Sequence, residues 1–141
     1  MDHKLKLMVV DDSPLFRTWL IRSLSEDDRF QVVGYAVNAL DAQEKIPLLQ
    51  PDMLTLDIEM PGMSGIDFLK QLLPVHPIPV ILVSSLNLRV FDALEAGAVD
   101  FVRKPDEANG LSKEIFLSML RSKLLVAAAS HVHLPSVPAS P

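Results

Sequence analysis

The sequence predicts an α/β fold in which five βα units, (βα)5, form a doubly wound parallel sheet with helices on both faces, in three layers (αβα). Short runs rich in Val, Ile and Leu alternate along the chain with segments whose apolar residues recur at helical spacing. The chain has 141 residues, enough for one domain with a single sizeable core and no support from metal or disulfide.

The five predicted strands are short and strongly apolar, as strands covered on both faces of a parallel sheet are. In chain order they cover Leu5–Val10, 31–36, 53–56, 80–83 and 99–103. Pro51 and Asp52 lead into the third strand, and prolines at 74, 77 and 79 separate the third helix from the fourth strand.

The helices are bounded by residues that start or stop helices. The first is predicted to begin at Ser13 and Pro14, an N-cap followed by a proline where the missing N–H has no helical partner. Asn38 is the predicted cap of the second helix, which should weaken near Pro47. The remaining helices are predicted at 65–73, at 87–95 with Gly97 as the stop, and at 113–129 with Ser112 as the N-cap.

Residues 1–129 form the predicted domain, and residues 130–141 a flexible tail or the start of an interdomain linker. Three of the last seven residues are proline, which disfavours a packed element there. A native chain seldom stops within a linker, so we expect a fragment of something longer.

Composition excludes several classes of function. The net charge is -5, and the Lys and Arg residues do not cluster, so direct binding of nucleic acid is not expected. The longest apolar runs are too short to span a bilayer, so no membrane partner is expected. The absence of cysteine and of a start resembling a signal peptide favours a cytoplasmic protein.

Polar residues stand where four of the five predicted strands end. Asp11 and Asp12 follow the first strand, Asp57 the third, Ser84 the fourth and Lys104 the fifth. Because parallel strands end along one edge of their sheet, these side chains are predicted to share a pocket. Three carboxylates, a hydroxyl and an ammonium suit an aspartate that accepts a phosphoryl group beside Mg²⁺, which prefers hard oxygen ligands.

Each of these residues alone has an ordinary structural explanation. An acidic pair at a strand end often caps a helix, but Ser13 is the better predicted cap, so both carboxylates are expected to be free and to repel each other unless a cation lies between them. Taken singly, Asp57 is typical of a loop, Ser84 of a turn and Lys104 of a solvated surface. The ordinary explanation therefore needs five coincidences at one edge.

The segments VVDDSP, LDIEMPGMSG, ILVSS and AGAVDFVRKP together resemble the response-regulator receiver domains of two-component signalling. The resemblance covers roughly residues 5–125, and DIEMPGMSGIDFL, VSSL and GAVDFVRKP are most similar to the receivers of CheB-type chemotaxis methylesterases. It implies a flavodoxin-like strand order of 2-1-3-4-5 and a cytoplasmic phosphorelay in which a histidine kinase is the phosphodonor.

The same resemblance implies roles for the acidic residues. Asp57 resembles the phosphoacceptor. Asp12 and Asp57 resemble direct Mg²⁺ ligands, and Asp11 resembles a ligand through water. Glu59 resembles the residue whose backbone carbonyl binds the ion.

Three further residues resemble the parts that hold the phosphate and transmit its arrival. Lys104 resembles the ammonium that pairs with the phosphate, Ser84 the switch hydroxyl and Phe101 the switch aromatic. For Phe101 the alternative is an ordinary core residue of a strand. The resemblance implies a change at the face formed by helix 4, strand 5 and helix 5, which would control an output domain or a partner.

Two features bear on that face. The stretch between Ser84 and Gly97 is a few residues shorter than expected of CheB-type receivers, which would shorten the loop after strand 4 or helix 4. In helix 5, Phe116, Leu120 and Leu124 form one buried stripe, yet Leu117, Leu125 and Val126 add apolar surface off it. We expect that extra surface to support a homodimer or to receive a following domain.

Other classes of protein fit less well. A haloacid-dehalogenase-type phosphatase needs a second acid two residues after its nucleophile. In this chain the residue two positions after Asp11 is Ser13, which is not an acid. A flavodoxin-like cofactor protein needs a Ser-, Thr- or Gly-rich phosphate loop, and DDSPLF has no glycine. The alternative kept open is that the chain regulates a methylesterase, a hydrolase whose catalytic serine motif is absent from these residues and would lie beyond Pro141.

Overall fold

A computed structural model of the chain describes residues 4–85, 89–106, 108 and 110–133. Its strands are β1 (Leu5–Val10), β2 (Phe30–Ala36), β3 (Met53–Leu56), β4 (Val80–Ser84) and β5 (Asp100–Arg103). All neighbouring pairs are parallel, in the order β2-β1-β3-β4-β5. The predicted strand order is therefore confirmed.

A helix follows each strand, which confirms the five predicted βα units. The helices are α1 (Pro14–Ser25), α2 (Ala39–Leu49), α3 (Gly65–Leu72), α4 (Val90–Glu95) and α5 (Lys113–His133). The predicted start of the fourth helix, Asn87, lies outside the described residues. The described part of that helix is only six residues long, and none of the helices described is long and apolar enough to cross a bilayer.

Side chains alternate between the two faces of each strand, so the sheet has a core on either side. Leu7 and Val9 of β1 pack toward α1 and α5, whereas Met8 and Val10 pack toward α2, α3 and α4. The stripe predicted for α5 is confirmed, since its three residues are fully buried: Phe116, Leu120 and Leu124. Of the residues predicted to lie off it, Val126 is exposed, whereas Leu117 and Leu125 are partly buried against the same core.

The helix ends add detail to the sequence prediction. α2, expected to weaken near Pro47, continues past it to Leu49, because a proline removes its own N–H while the N–H of Gln50 still donates to Ile46 O at 2.8 Å. α5 continues to His133, four residues beyond the predicted end. The segment 134–141 of the predicted tail lies outside the described residues.

The predicted N-cap position of α1 is confirmed, but the side chain does not make the cap. Ser13 occupies this position, and its hydroxyl makes no cap hydrogen bond. Instead, its backbone N–H donates to Asp11 Oδ1 at 2.8 Å. The expectation that the Asp11 carboxylate is free is therefore wrong. One of its oxygens already stabilises the turn into α1.

Candidate functional site

The carboxyl edge of the sheet brings the predicted site residues together. Two backbone hydrogen bonds continue the sheet just past the strand ends: Asp57 N–H donates to Val10 O, and Lys104 N–H donates to Ser84 O, both at 3.0 Å. The end of β3 is thereby fixed beside the end of β1, and the end of β5 beside that of β4.

One ammonium bridges two buried carboxylates at this edge. Lys104 Nζ lies 3.0 Å from Asp11 Oδ2 and 3.3 Å from Asp57 Oδ2. The side chain of Lys104 is only 16% exposed, so these ion pairs are shielded from water. Lys104 is therefore part of the predicted pocket.

Three carboxylates converge beside this ammonium. Asp11, Asp12 and Asp57 each offer an oxygen, and these oxygens all lie within 4.8 Å of one another. Asp11 and Asp57 are buried, while Asp12 is exposed at the mouth. Oxygen donors at this spacing suit a small hard cation, and three acids against one lysine leave negative charge for such a cation to balance.

Asp57 is held at both of its oxygens. Lys104 contacts Oδ2, and the backbone N–H of Glu59 donates to Oδ1 at 3.0 Å. Burial nevertheless raises the pKa of Asp57 to about 6, and the negative charge of Asp11 acts in the same direction. Lys104 and the Glu59 N–H oppose this rise without cancelling it. The structure thus gives Glu59 a role through its N–H, while metal binding by its carbonyl stays a prediction.

Gly65 allows α3 to begin directly against the backbone that carries Asp57. A Cβ atom at Gly65 would lie 2.8 Å from Ile58 Cα and 2.9 Å from Asp57 O. The N–H of Gly65 also donates to Ile58 O at 3.0 Å. From the sequence, this glycine is only the start of a helix after a loop, because the close approach depends on contacts across the loop.

Phe16 is a site residue that the sequence analysis missed. Lys104 Nζ lies 4.5 Å from the centre of the Phe16 ring, within the range of a cation–π interaction. The ring also packs against Trp19 and Phe116, with centroids 5.7 and 5.9 Å apart. Its position in the first turn after the acidic pair was the available signal.

The two predicted switch residues lie on neighbouring strands. Ser84 ends β4 and is fully buried. Phe101 of β5 is partly buried and packs against the core on the side of α3 and α4. The Phe101 carbonyl accepts a hydrogen bond from Lys123 Nζ at 2.8 Å, which ties β5 to α5. The switch roles of Ser84 and Phe101 stay predictions.

The fold and this arrangement of residues define a receiver domain, and comparison with known families agrees. The family described as response regulator receiver domain matches residues 7–116. The chain belongs to this family, which confirms the resemblance found in the sequence. Two-component signalling is the context in which receivers act.

Similarity to individual proteins indicates a particular type of receiver within this family, the CheB type. The chain is 46% identical over 130 residues to protein-glutamate methylesterase/protein-glutamine glutaminase 2 of Syntrophomonas wolfei, covering 92% of this chain and 38% of that protein. It is 43% identical over 136 residues to a Vibrio vulnificus protein of the same name, covering 94% of this chain and 39% of that protein. The chain thus spans about two fifths of the length of these relatives.

Solved structures give the same result. The response regulator domain of Thermotoga maritima CheB has a TM-score of 0.82 and 37% identity, with 90% of this chain and 98% of that domain covered. A structure of the P1 domain of CheA3 in complex with CheY6 from R. sphaeroides gives a TM-score of 0.73 and 28% identity, covering 89% and 97%.

Proposed function

We propose that this chain accepts a phosphoryl group from a histidine kinase onto Asp57, in a reaction that requires Mg²⁺. The observation that carries the proposal is the position of Asp57, which is buried beside the Lys104 ammonium and two further carboxylates. The family of the chain and its similarity to a CheB receiver support the assignment. The complex of CheA3 P1 with CheY6 supports a kinase as the phosphodonor.

The transfer is a displacement at phosphorus. A carboxylate oxygen of Asp57 forms a bond to phosphorus while the bond from phosphorus to the donor nitrogen breaks, and that nitrogen keeps the electron pair. Lys104 Nζ and the Glu59 N–H hold the two oxygens of Asp57 in place before the attack. Lys104 then pairs with the oxygens of the phosphoryl group, which carries about two negative charges.

The residues present fit Mg²⁺. Asp12 and Asp57 would bind the ion directly, Asp11 through water, and Glu59 through its carbonyl. When bound, the ion supplies positive charge that stabilises the transferred oxygens. Within the chain itself, Lys104 is the only cation that contacts these carboxylates among the described ion pairs, so the site without metal keeps an excess of negative charge.

The arrival of phosphate would be reported through Ser84 and Phe101. The Ser84 hydroxyl would turn to donate to a phosphoryl oxygen, and Phe101 would move inward into the space left behind. Both residues lie on the strands beside α4, so two side-chain arrangements would change the surface formed by α4, β5 and α5. This surface is where the proposed output begins.

That surface is apolar enough to receive a partner. Phe91 of α4 is 77% exposed, and Ile115, Met119 and Val126 of α5 are also exposed. The three α5 residues recur at i, i+4 and i+11 and so share one stripe. Lys123 lies beside the stripe and contacts β5, so the stripe is on the β5 side of α5.

The proposed occupant of this surface is an output domain or a second copy of the chain. Similarity to methylesterases of which this chain spans only part favours an output domain of that kind. In that case the chain is the regulatory part of a cytoplasmic chemotaxis methylesterase and carries no hydrolase activity of its own. Light scattering with and without beryllofluoride would detect self-association.

Intact mass spectrometry after incubation with acetyl phosphate and MgCl₂ tests the proposed acceptor. The parent chain should gain one phosphoryl group, and Asp57→Asn should gain none because an amide does not attack phosphorus. Asp28→Asn is the matched control, since it removes the same charge from an exposed residue just before β2. Persistent labelling of Asp57→Asn would show that another residue is the acceptor.

A further inference from the structure

We infer that Arg17 positions the acidic loop between β1 and α1, and this inference rests on the proposed Mg²⁺ site. Arg17 lies at the end of the first turn of α1, and its Nη1 donates to the backbone carbonyl of Asp11 at 2.8 Å. Its own N–H donates to Ser13 O at 2.9 Å. The residue therefore holds both ends of the turn that carries Asp12.

Arg17 is itself held by Tyr35 of β2. The guanidinium carbon lies 4.7 Å from the centre of the Tyr35 ring, which is a cation–π contact. Lys45 of α2 also contacts Tyr35. Its Nζ lies 4.8 Å from the centre of the same ring and donates to the Tyr35 backbone O at 2.8 Å. Lys45 also pairs with Asp41 at 3.3 Å. A continuous set of contacts thus runs from α2 through Tyr35 to the Asp11 carbonyl.

The loop between β1 and α1 needs this support because its two carboxylates repel each other. The Asp11 and Asp12 carboxylates lie close to each other and to Asp57, so their mutual repulsion favours a more open loop. Four contacts of Asp11 oppose that opening. Its N–H donates to Ala36 O, its Oδ1 accepts from Ser13, its Oδ2 pairs with Lys104, and its carbonyl accepts the charge-assisted bond from Arg17. Arg17 supplies the side-chain contact to the backbone of Asp11.

The sign of one measurement separates positioning from simple charge. If Arg17 acted only as a nearby positive charge, its removal would strengthen the binding of a divalent cation. If Arg17 positions the loop, its removal lets the carboxylates separate and weakens that binding. Ligand-orienting contacts of this kind typically change metal affinity by about 10- to 100-fold.

The test is a titration of the whole chain with MgCl₂ at constant ionic strength, in which NMR signals of the backbone amides report binding. Arg17→Met and Arg17→Lys should each weaken Mg²⁺ binding by roughly tenfold, since neither side chain can both donate to the carbonyl and stack as the planar guanidinium does. Arg22→Met is the matched control, because it removes one charge from an exposed position of the same helix. It should leave the affinity within about twofold.

A second pair of variants tests the anchor without touching the loop. Tyr35→Phe keeps the ring under Arg17 and should keep the affinity, whereas Tyr35→Leu removes the ring and should weaken binding several-fold. This pair decides the question even if Arg17→Met does not fold. Thermal unfolding in EDTA, measured for each variant, separates loss of fold from loss of positioning.

Two results would overturn the inference, and they are distinguishable. Unchanged or tighter Mg²⁺ binding by both Arg17→Met and Arg17→Lys, with normal binding by the parent chain, would refute the positioning role and leave the proposed function intact. Absence of Mg²⁺ binding by the parent chain would refute the proposed function and this inference with it.

Discussion

At the two edges of the sheet, the pKa of an aspartate is shifted in opposite directions. At the carboxyl edge, Asp57 is buried beside other acids, and its pKa is raised to about 6. Before β2, at the amino edge, Asp27 accepts two bonds from the Arg29 guanidinium, at 2.7 and 3.0 Å, and lies 3.5 Å from Arg121. Those contacts hold its pKa down at about 2, chiefly through the hydrogen bond from Arg29.

The difference teaches which edge serves the fold and which serves the chemistry. At the amino edge two cations surround one acid, so the ionised form of Asp27 stabilises the native state. At the carboxyl edge one cation serves Asp11 and Asp57 together, and Asp12 lies close by. The native state there carries negative charge that is balanced only when a cation binds, which is the condition that a phosphoryl-transfer site needs.

The largest expected effect comes from Lys104→Met measured without metal. The substitution leaves two buried carboxylates without their counter-charge, so the free energy of unfolding should fall by about 3 kcal/mol. The matched control is Lys123→Met, whose ion pair with Asp100 is more open to water, with side chains 31% and 48% exposed, and should contribute about 0–1 kcal/mol. Urea unfolding measures both, and equal losses would contradict the proposed contrast between the two lysines.

A second prediction compares Asp57→Asn with Asp27→Asn in EDTA. Because its pKa is raised in the folded state, Asp57 lowers stability as pH rises through about 6, so Asp57→Asn should be more stable than the parent by about 2 kcal/mol near pH 8. This gain should disappear below about pH 4, where the parent's Asp57 is protonated.

Asp27→Asn should behave in the opposite way. Its lowered pKa contributes stability above about pH 4 that is lost as pH falls toward about 2, so the variant should be less stable by about 1 kcal/mol at neutral pH and equal to the parent in acid. Stability curves against pH for the three proteins provide the measurement. The same sign for both variants at neutral pH would refute the contrast between the two edges.

A third prediction concerns the exposed acid at the mouth of the site. Asp12→Ala should weaken Mg²⁺ binding by about tenfold or more, because it removes a proposed ligand from a preformed group of carboxylates. The fold should be unaffected, since Asp12 is exposed. A titration that gave the parent's affinity would remove Asp12 from the ligands of the ion.

The smallest expected effect is on transmission rather than on chemistry. Ser84→Ala should still be phosphorylated at Asp57 but should lose the NMR shift changes in α4 and β5 that beryllofluoride produces in the parent. Lys104→Ala should impair both phosphate retention and these shifts. If Ser84→Ala retained the parent's shift changes, the signal would follow another route and Phe101 would be only a core residue.

The sequence predicted the architecture well because the fold depends on local and periodic signals. Apolar runs located all five strands, and their parallel order placed the polar residues that follow four of them at one edge. That was enough to bring Asp57 and Lys104 into one site before any contact was known. Helix ends were less certain, because a proline such as Pro47 removes one hydrogen bond without ending α2.

The supporting contacts of the site could not be predicted, because each depends on residues that meet only in the folded chain. Phe16 lies beneath Lys104, which comes from the opposite end of the sequence. Arg17 reaches Tyr35 on a neighbouring strand. The same holds for Ser13, which local pattern identified as a cap but whose N–H binds Asp11. Spacing identifies groups that carry chemistry, whereas packing decides what holds them.

The central claim is that the buried Asp57, and neither of the other acids, carries the phosphoryl group. Borohydride reduction of the chain after treatment with acetyl phosphate and MgCl₂ tests it most directly, because reduction converts a phosphorylated aspartate to homoserine and marks the residue permanently. Peptide sequencing by mass spectrometry should find homoserine at position 57 and unchanged aspartate at positions 11 and 12. Homoserine at either of those two positions, or at none of the three with the phosphoryl group found elsewhere, would contradict the account.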